Sequence, residues 1–216
     1  MVFKTDKNFV TKVALRGFAP PQLLRQFCRW QNRFCGLTHC HVNARIGAQG
    51  IKMDKLQLIN DDYKGYVEYV RHACRGILLK GSNILLCYES KENKYIIPGG
   101  GVEEGETLEG TCEREILEET GYKVNATDNY LEIEELFDNW KHINHYFLCS
   151  IKSDTGMLHL TKAEEQAGYK TLWVPLDKAV GIFGRYEEFH AINIADYGLY
   201  RREYTALEKV REVLKI

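Results

Sequence analysis

With 216 residues, 44% of them hydrophobic, the chain can bury a core and suits one domain with an appendage. No run approaches 18 consecutive apolar residues, so the sequence offers no membrane-spanning helix. The net charge of −1 conceals an asymmetry: residues 1–66 hold 11 Lys/Arg against 4 Asp/Glu, and residues 67–216 hold 18 against 26. An acidic body argues against a general nucleic-acid surface, so no nucleic-acid partner is expected.

Residues 1–52 carry one acidic residue, Asp6, and no serine. Ala19-Pro20-Pro21 interrupts them, Leu23 to Phe34 suits one short basic helix, and Gly47–Gly50 is loop-like. Cys28, Cys35, His39, Cys40 and His41 invite a zinc reading, but their spacing fits no common ligand frame. An organellar transit peptide is weakened by the lack of serine. The favoured expectation is a poorly ordered extension over 1–65, with Met53 as a candidate native start and the domain proper over 66–216. The seven cysteines are odd in number, and most sit in apolar strand or helix patterns. With no signal-peptide pattern, reduced thiols in a cytoplasmic protein are expected.

From Tyr66 the pattern turns β-rich. A strand over Tyr66–Leu79, a turn at Gly81-Ser82-Asn83 and a returning strand over Asn83–Glu89 make a hairpin. Tyr95-Ile96-Ile97 forms a short strand that runs into Pro98-Gly99-Gly100-Gly101. A helix follows from Thr107, whose hydroxyl can cap it, to Gly121, which tolerates the left-handed closing conformation. Strands are then expected over Tyr122–Asn125, Tyr130–Phe137 and His142–Lys152, with Met157–Leu160 as an edge. Thr161–Gly168 reads as an acidic loop or short helix and Thr171–Val174 as the last strand. Asp177–Phe183, capped by Asp177, and Leu199–Leu214 complete the chain as helices. The fold class is α+β, a mixed sheet held between helices.

Within the Thr107–Gly121 helix, Glu115, Glu118 and Glu119 fall within about one third of the circumference. Like charges so placed cost about 0.2–0.5 kcal/mol per pair on an exposed helix, which a surface helix can absorb. Beside a triple-glycine loop they suggest more: oxygen ligands for a hard divalent cation such as Mg²⁺.

Gly100, Glu106, Arg114, Glu115, Ile116, Glu118, Glu119 and Gly121 match the pattern G-x5-E-x7-R-E-U-x-E-E-x-G-U, where U is a bulky aliphatic residue. This stretch resembles the signature of the Nudix hydrolases. It departs at Tyr122 alone, a position at the start of the next strand that bears on packing. The resemblance implies an α/β/α sandwich for residues 66–216. It also implies Mg²⁺ (or Mn²⁺) as cofactor and hydrolysis of a diphosphate linkage in a nucleoside diphosphate derivative. By the family pattern Glu115 and Glu119 are the first ligands, Glu118 is close behind as ligand or catalytic group, and the Gly100 carbonyl and Glu106 are secondary. Arg114 orients a glutamate through a bidentate pair. Glu164, with Glu165 as the alternative, supplies the further carboxylate that such enzymes draw from outside the motif.

For the substrate, Trp140, Phe137, Tyr146 and Tyr130 are candidates to stack on a base, though aromatics in strands more often belong to a core. His142 and His145 are candidate phosphate or acid–base groups. The markers of the family's ADP-ribose, dinucleoside-polyphosphate and NADH enzymes are missing, which leaves a MutT-like enzyme acting on (deoxy)nucleoside triphosphates. The alternatives are a nucleotide-sugar or dinucleotide substrate and a non-catalytic nucleotide-sensing module. The partner is a small nucleotide, and a homodimer is an open assembly.

Overall fold

A computed structural model describes residues 51–216. The zinc, transit-peptide and basic-helix readings of residues 1–50 lie outside the described residues. Strands β1 (Asp54–Ile59), β2 (Tyr69–Lys80), β3 (Asn83–Glu89), β4 (Lys94–Ile96), β5 (Tyr122–Phe137), β6 (Trp140–Asp154) and β7 (Tyr169–Pro175) are interleaved with four helices. These are α1 (Leu108–Thr120), α2 (Lys162–Ala167), α3 (Leu176–Phe183) and α4 (Ile194–Leu214). A 3-10 turn at Tyr186–Phe189 precedes α4.

The sheet is mixed, ordered β1-β5-β6-β2-β3-β4, with β7 added against β3. β1 runs parallel to β5 and β2 parallel to β6, while β5 and β6 form a long antiparallel hairpin. The fold therefore begins before Tyr66: Asp54–Ile59 is a sheet strand, which places it outside the extension expected over 1–65. Its pattern hid it, because four of its six side chains face solvent and only the backbone ladder to Leu131–Leu136 fixes it.

Strand alternation sends successive residues to opposite faces. Cys74, Leu78, Leu85 and Phe147 pack with Cys112 and Ile116 of α1 on one face. Ile77, Ile84, Leu86, Leu131, Ile133 and Tyr146 pack with Ala179 and Phe183 of α3 and Ala206, Leu207 and Val210 of α4 on the other. The expected α/β/α layering is the observed one.

Several boundaries differ from the sequence reading for local reasons. Tyr122–Asn125 and Tyr130–Phe137 are one strand carrying bulges, which absorb the residues that had looked like a break. Met157–Leu160 forms no strand; Gly121 and Glu118 carbonyls hold this region by accepting from Thr155 and His159 N–H. α3 has no side-chain cap, and Asp177 sits inside its first turn rather than before it. α4 starts five residues earlier than Leu199, because Asn193 Oδ1 accepts from the N–H groups of Ala195 and Asp196 at 3.1 and 3.3 Å. Replacing Asn193 with Ala is expected to cost about 1 kcal/mol. Thermal unfolding checks this as a fall of about 2–4 °C, and an unchanged midpoint would discount the cap.

Among the described residues, no helix is long and apolar enough to cross a membrane. Cys74, Cys87 and Cys112 are buried and Cys149 is half-buried, all of them free thiols.

Candidate active site

The glycine loop reaches the sheet edge through backbone bonds: Cys74 N–H donates to the Gly100 carbonyl at 2.9 Å and Gly76 N–H to Pro98 at 2.9 Å. Helix α1 then lies across this loop. Thr107 Oγ1 caps it, accepting from Gly110 N at 3.1 Å, and Gly121 closes it at φ 75°. A Cβ at Gly100 would stand about 2.5 Å from the Glu115 carboxylate, so a larger residue there would displace that group. Tyr122 opens β5, its ring edge-on to Trp173 with centroids 5.9 Å apart.

Arg114 organises the acidic face. Its Nε and Nη2 donate to the two oxygens of Glu106 at 2.6 and 2.9 Å, a bidentate pair. Nη1 donates to Glu115 at 2.9 Å and Glu118 at 3.2 Å, and Nη2 reaches the Gly101 carbonyl at 3.2 Å. The Arg114 hydrogen bonds hold the Glu106 carboxyl down at about 2. Glu106 also accepts from Thr111 Oγ1 and Glu103 N, so both of its oxygens are engaged in fixing Arg114 and the loop.

Glu119 is buried. Its oxygens accept from Gly99 N at 2.8 Å and from the Tyr169 hydroxyl at 2.9 Å. Burial pushes its carboxyl up to about 7. Burial also raises Glu115, partly opposed by Arg114. Glu118 is the more exposed of the three.

These groups face a cleft of about 340 Å³ bounded by Gly99–Gly101, Glu103, Arg114, Glu115, Glu118 and Glu119. Glu164 also lines the cleft, with Thr161 and His159. It serves a capping box at the start of α2, where its Oε2 accepts from Thr161 N at 2.7 Å and Thr161 Oγ1 accepts from Glu164 N at 3.3 Å. Glu165 does not line the cleft.

Among the described residues, no three acidic or imidazole groups converge tightly enough to enclose a metal unaided. The reason is visible, since Arg114 draws Glu115 and Glu118 toward itself while Glu119 turns to Gly99 and Tyr169. The donor chemistry nevertheless fits a hard cation. Glu115, Glu118, Glu119 and the glycine-loop carbonyls offer oxygen only, and Mg²⁺ retains several waters when bound. Glu119 adds an observation of its own: a buried carboxylate with no ion-pair partner among the described residues is costly to charge, and a cation would relieve that cost.

Other sequence candidates lie elsewhere. Phe137 and Trp140 stack at 6.4 Å across the β5–β6 turn, outside the cleft's lining residues. Tyr130 and Tyr146 are fully buried, their hydroxyls donating to Ala206 O and Glu203, so neither presents a face for a base. His142 is buried beneath the α4 face, and burial drives its pKa down to about 2, which leaves a neutral ring. His145 stacks on His72 with centroids 5.5 Å apart.

Arg71 and Arg75 line the cleft and were missed. The available signal was alternation: in Tyr69–Lys80, positions 69, 71, 73 and 75 share one strand face, and two of them are cationic. Arg75 is engaged by the carbonyls of Gly99 and Ile97.

A mixed sheet between helices, with a glycine loop and a carboxylate-bearing helix beside it, defines a scaffold with an acidic cleft. The NUDIX domain model matches residues 70–196, more than half of the chain, and the chain belongs to that family. Mouse (Mus musculus) diphosphoinositol polyphosphate phosphohydrolases 3-alpha and 3-beta are each 28% identical over 109 residues, covering 50% of this chain and 64% of theirs. The chain thus spans under two thirds of the length of these relatives. A NUDIX hydrolase from Nitrosomonas europaea is 19% identical with a TM-score of 0.47, covering 63% of this chain and 88% of its own. The E. coli ORF135 protein is 16% identical with a TM-score of 0.45, covering 66% and 94%.

Proposed function

We propose that the chain is a pyrophosphohydrolase that cleaves the diphosphate linkage of a nucleoside diphosphate derivative. A (deoxy)nucleoside triphosphate of the MutT-like kind is the first choice of substrate. The observation that carries this reading is that Glu115, Glu118 and Glu119 line one cleft with the glycine loop, with Arg114 bonded to Glu106, Glu115 and Glu118. A diphosphate would be repelled by such a wall unless a divalent cation neutralised it, so Glu115, Glu119 and Glu118 are assigned to hold Mg²⁺ or Mn²⁺, with the Gly100 carbonyl as a further donor. When bound, that ion supplies charge neutralisation on the diphosphate oxygens. Arg114 keeps the helix carboxylates in register with the loop. Glu118, the more exposed member, and Glu164, which also lines the cleft, are assigned to orient a water and take its proton.

The phosphate-crowded inositols named for the mouse relatives would call for several free cations. Of the three guanidinium groups lining the cleft, that of Arg71 alone makes no hydrogen bond or ion pair to another described residue, which favours a nucleotide. A panel of nucleoside triphosphates, ADP-ribose and dinucleoside polyphosphates, assayed with Mg²⁺ and with Mn²⁺, tests this. Triphosphates are expected to release pyrophosphate, whereas ADP-ribose would release AMP. Turnover of none of them, beside turnover of a diphosphoinositol polyphosphate, would contradict the nucleotide reading.

A further inference from the structure

One face of the sheet carries a row of side chains that leads away from the cleft. β2 and β6 pair in register as Tyr69 with Trp140, Arg71 with His142 and Ala73 with Asn144. Across the hairpin, Phe137 pairs with Trp140 and Glu135 with His142. Paired residues project to the same face, so Phe137, Trp140 and Tyr69 make one rung, and Glu135, His142 and Arg71 make the next. The rung after that contains Ala73, which bridges to Gly101 of the glycine loop. Rungs are about 6.6 Å apart along a strand, so the aromatic rung stands about 13 Å from the loop, with Arg71 midway.

The chemistry changes along this row. At the loop lie the carboxylates of α1. At the middle rung, the Arg71 guanidinium lies over Gly101, where a Cβ would be 3.2 Å from its Nη2. The other cleft guanidinia are engaged, Arg114 by Glu106, Glu115 and Glu118, and Arg75 by the Ile97 and Gly99 carbonyls. Arg71 has no such partner among the described residues, and its side chain is exposed at the cleft. At the outer rung Tyr69 and Trp140 pack at 5.0 Å, tilted 31°, and remain 52% and 36% exposed. Exposed rings two rungs from the loop, with the Arg71 guanidinium on the rung between, match a molecule that is anionic at one end and planar at the other.

We propose that Tyr69, Arg71 and Trp140 form a substrate-recognition strip, in which Arg71 holds a phosphate of a nucleoside diphosphate group and the two rings hold its base. This rests on the nucleotide reading above and deepens it. Phe137 supports Trp140 from behind. The neutral His142 beside Arg71 adds no competing charge.

The test combines equilibrium binding and turnover on the full chain. ADP and GDP binding with Mg²⁺ is measured by calorimetry for wild type, Arg71→Ala, Arg71→Lys and the double variant Tyr69→Ala/Trp140→Ala. KM and kcat are measured on the best nucleotide of the panel and on a base-free diphosphate, phosphoribosyl pyrophosphate. Arg71→Ala is expected to weaken nucleotide binding about 10- to 100-fold and to raise KM on both substrates, with kcat nearly unchanged. Arg71→Lys should recover part of that loss. The double variant should weaken ADP and GDP about 5- to 100-fold yet leave the base-free KM unchanged. Native circular dichroism of each variant guards against a folding artefact. Wild-type nucleotide binding and turnover with all variants unaffected would overturn the strip and leave the nucleotide reading standing. Wild type that neither binds nor hydrolyses nucleotides would overturn both.

Discussion

Glu119→Gln is expected to lower kcat by about 10²- to 10⁴-fold while making the metal-free protein more resistant to heat at pH 8. The two effects share one cause. Glu119 lies between Gly99 N and the Tyr169 hydroxyl, with no ion pair among the described residues, and burial, partly opposed by the Arg75 charge, raises its carboxyl to about 7. A folded-state pKa above the unfolded value means that the native protein binds this proton more tightly. Stability is therefore highest below the ordinary carboxylate range and falls as pH rises toward about 7, where the buried group must ionise. Glutamine keeps an acceptor for Gly99 and removes the charge. The gain should be visible by calorimetry at pH 8 and should fade at pH 4, while turnover stays low at both. Unaltered turnover, or a variant less stable than wild type at pH 8, would contradict the assignment.

Arg202→Met is expected to destabilise the fold by about 3–5 kcal/mol. Arg202 is a buried residue of α4 and donates to Glu135 at 2.9 Å and to Glu203 at 3.0 Å. Those carboxylates also accept from Asn60 Nδ2 at 3.0 Å and from the Tyr146 hydroxyl at 3.2 Å, so the network ties β1, β5 and β6 to the C-terminal helix. Removing the guanidinium strands two carboxylates in a dry interior, and that penalty exceeds any gain from the thioether. Urea unfolding checks this as a lower midpoint with unchanged slope. Adding Glu135→Gln and Glu203→Gln to the variant should restore much of the loss. A single variant within 1 kcal/mol of wild type would show the network to be dispensable, since effects of that size are ordinary for surface changes.

The motif helix was legible because every local signal agreed. Thr107 caps, Gly121 closes, and Ile116 marks the buried side between the glutamates. Glu164 was legible only as an acid near the right strand, and its place on the cleft wall depends on a capping box that turns α2. What escaped the sequence were contacts set by register. Phe137 and Trp140 read as base-stacking candidates, but their distance from the loop is set by four residues of strand pairing between Tyr69 and Ala73. Arg71 and Arg75 went unmarked, since only the Ala73–Gly101 bridge brings the loop beside them. β1 escaped because its side chains are mostly wet and its partner is a parallel strand more than 70 residues away.

Diffraction from crystals soaked with Mg²⁺ and a slowly hydrolysed nucleoside triphosphate analogue gives the most direct evidence on who holds the cation. Glu115 and Glu119 oxygens are expected within about 2.0–2.1 Å of the ion, with Glu106 still forked on Arg114 and the phosphates over Gly100. Clear density for the nucleotide, with Glu115 still on Arg114, Glu119 still on Gly99 and no ion between them, would contradict the assignment.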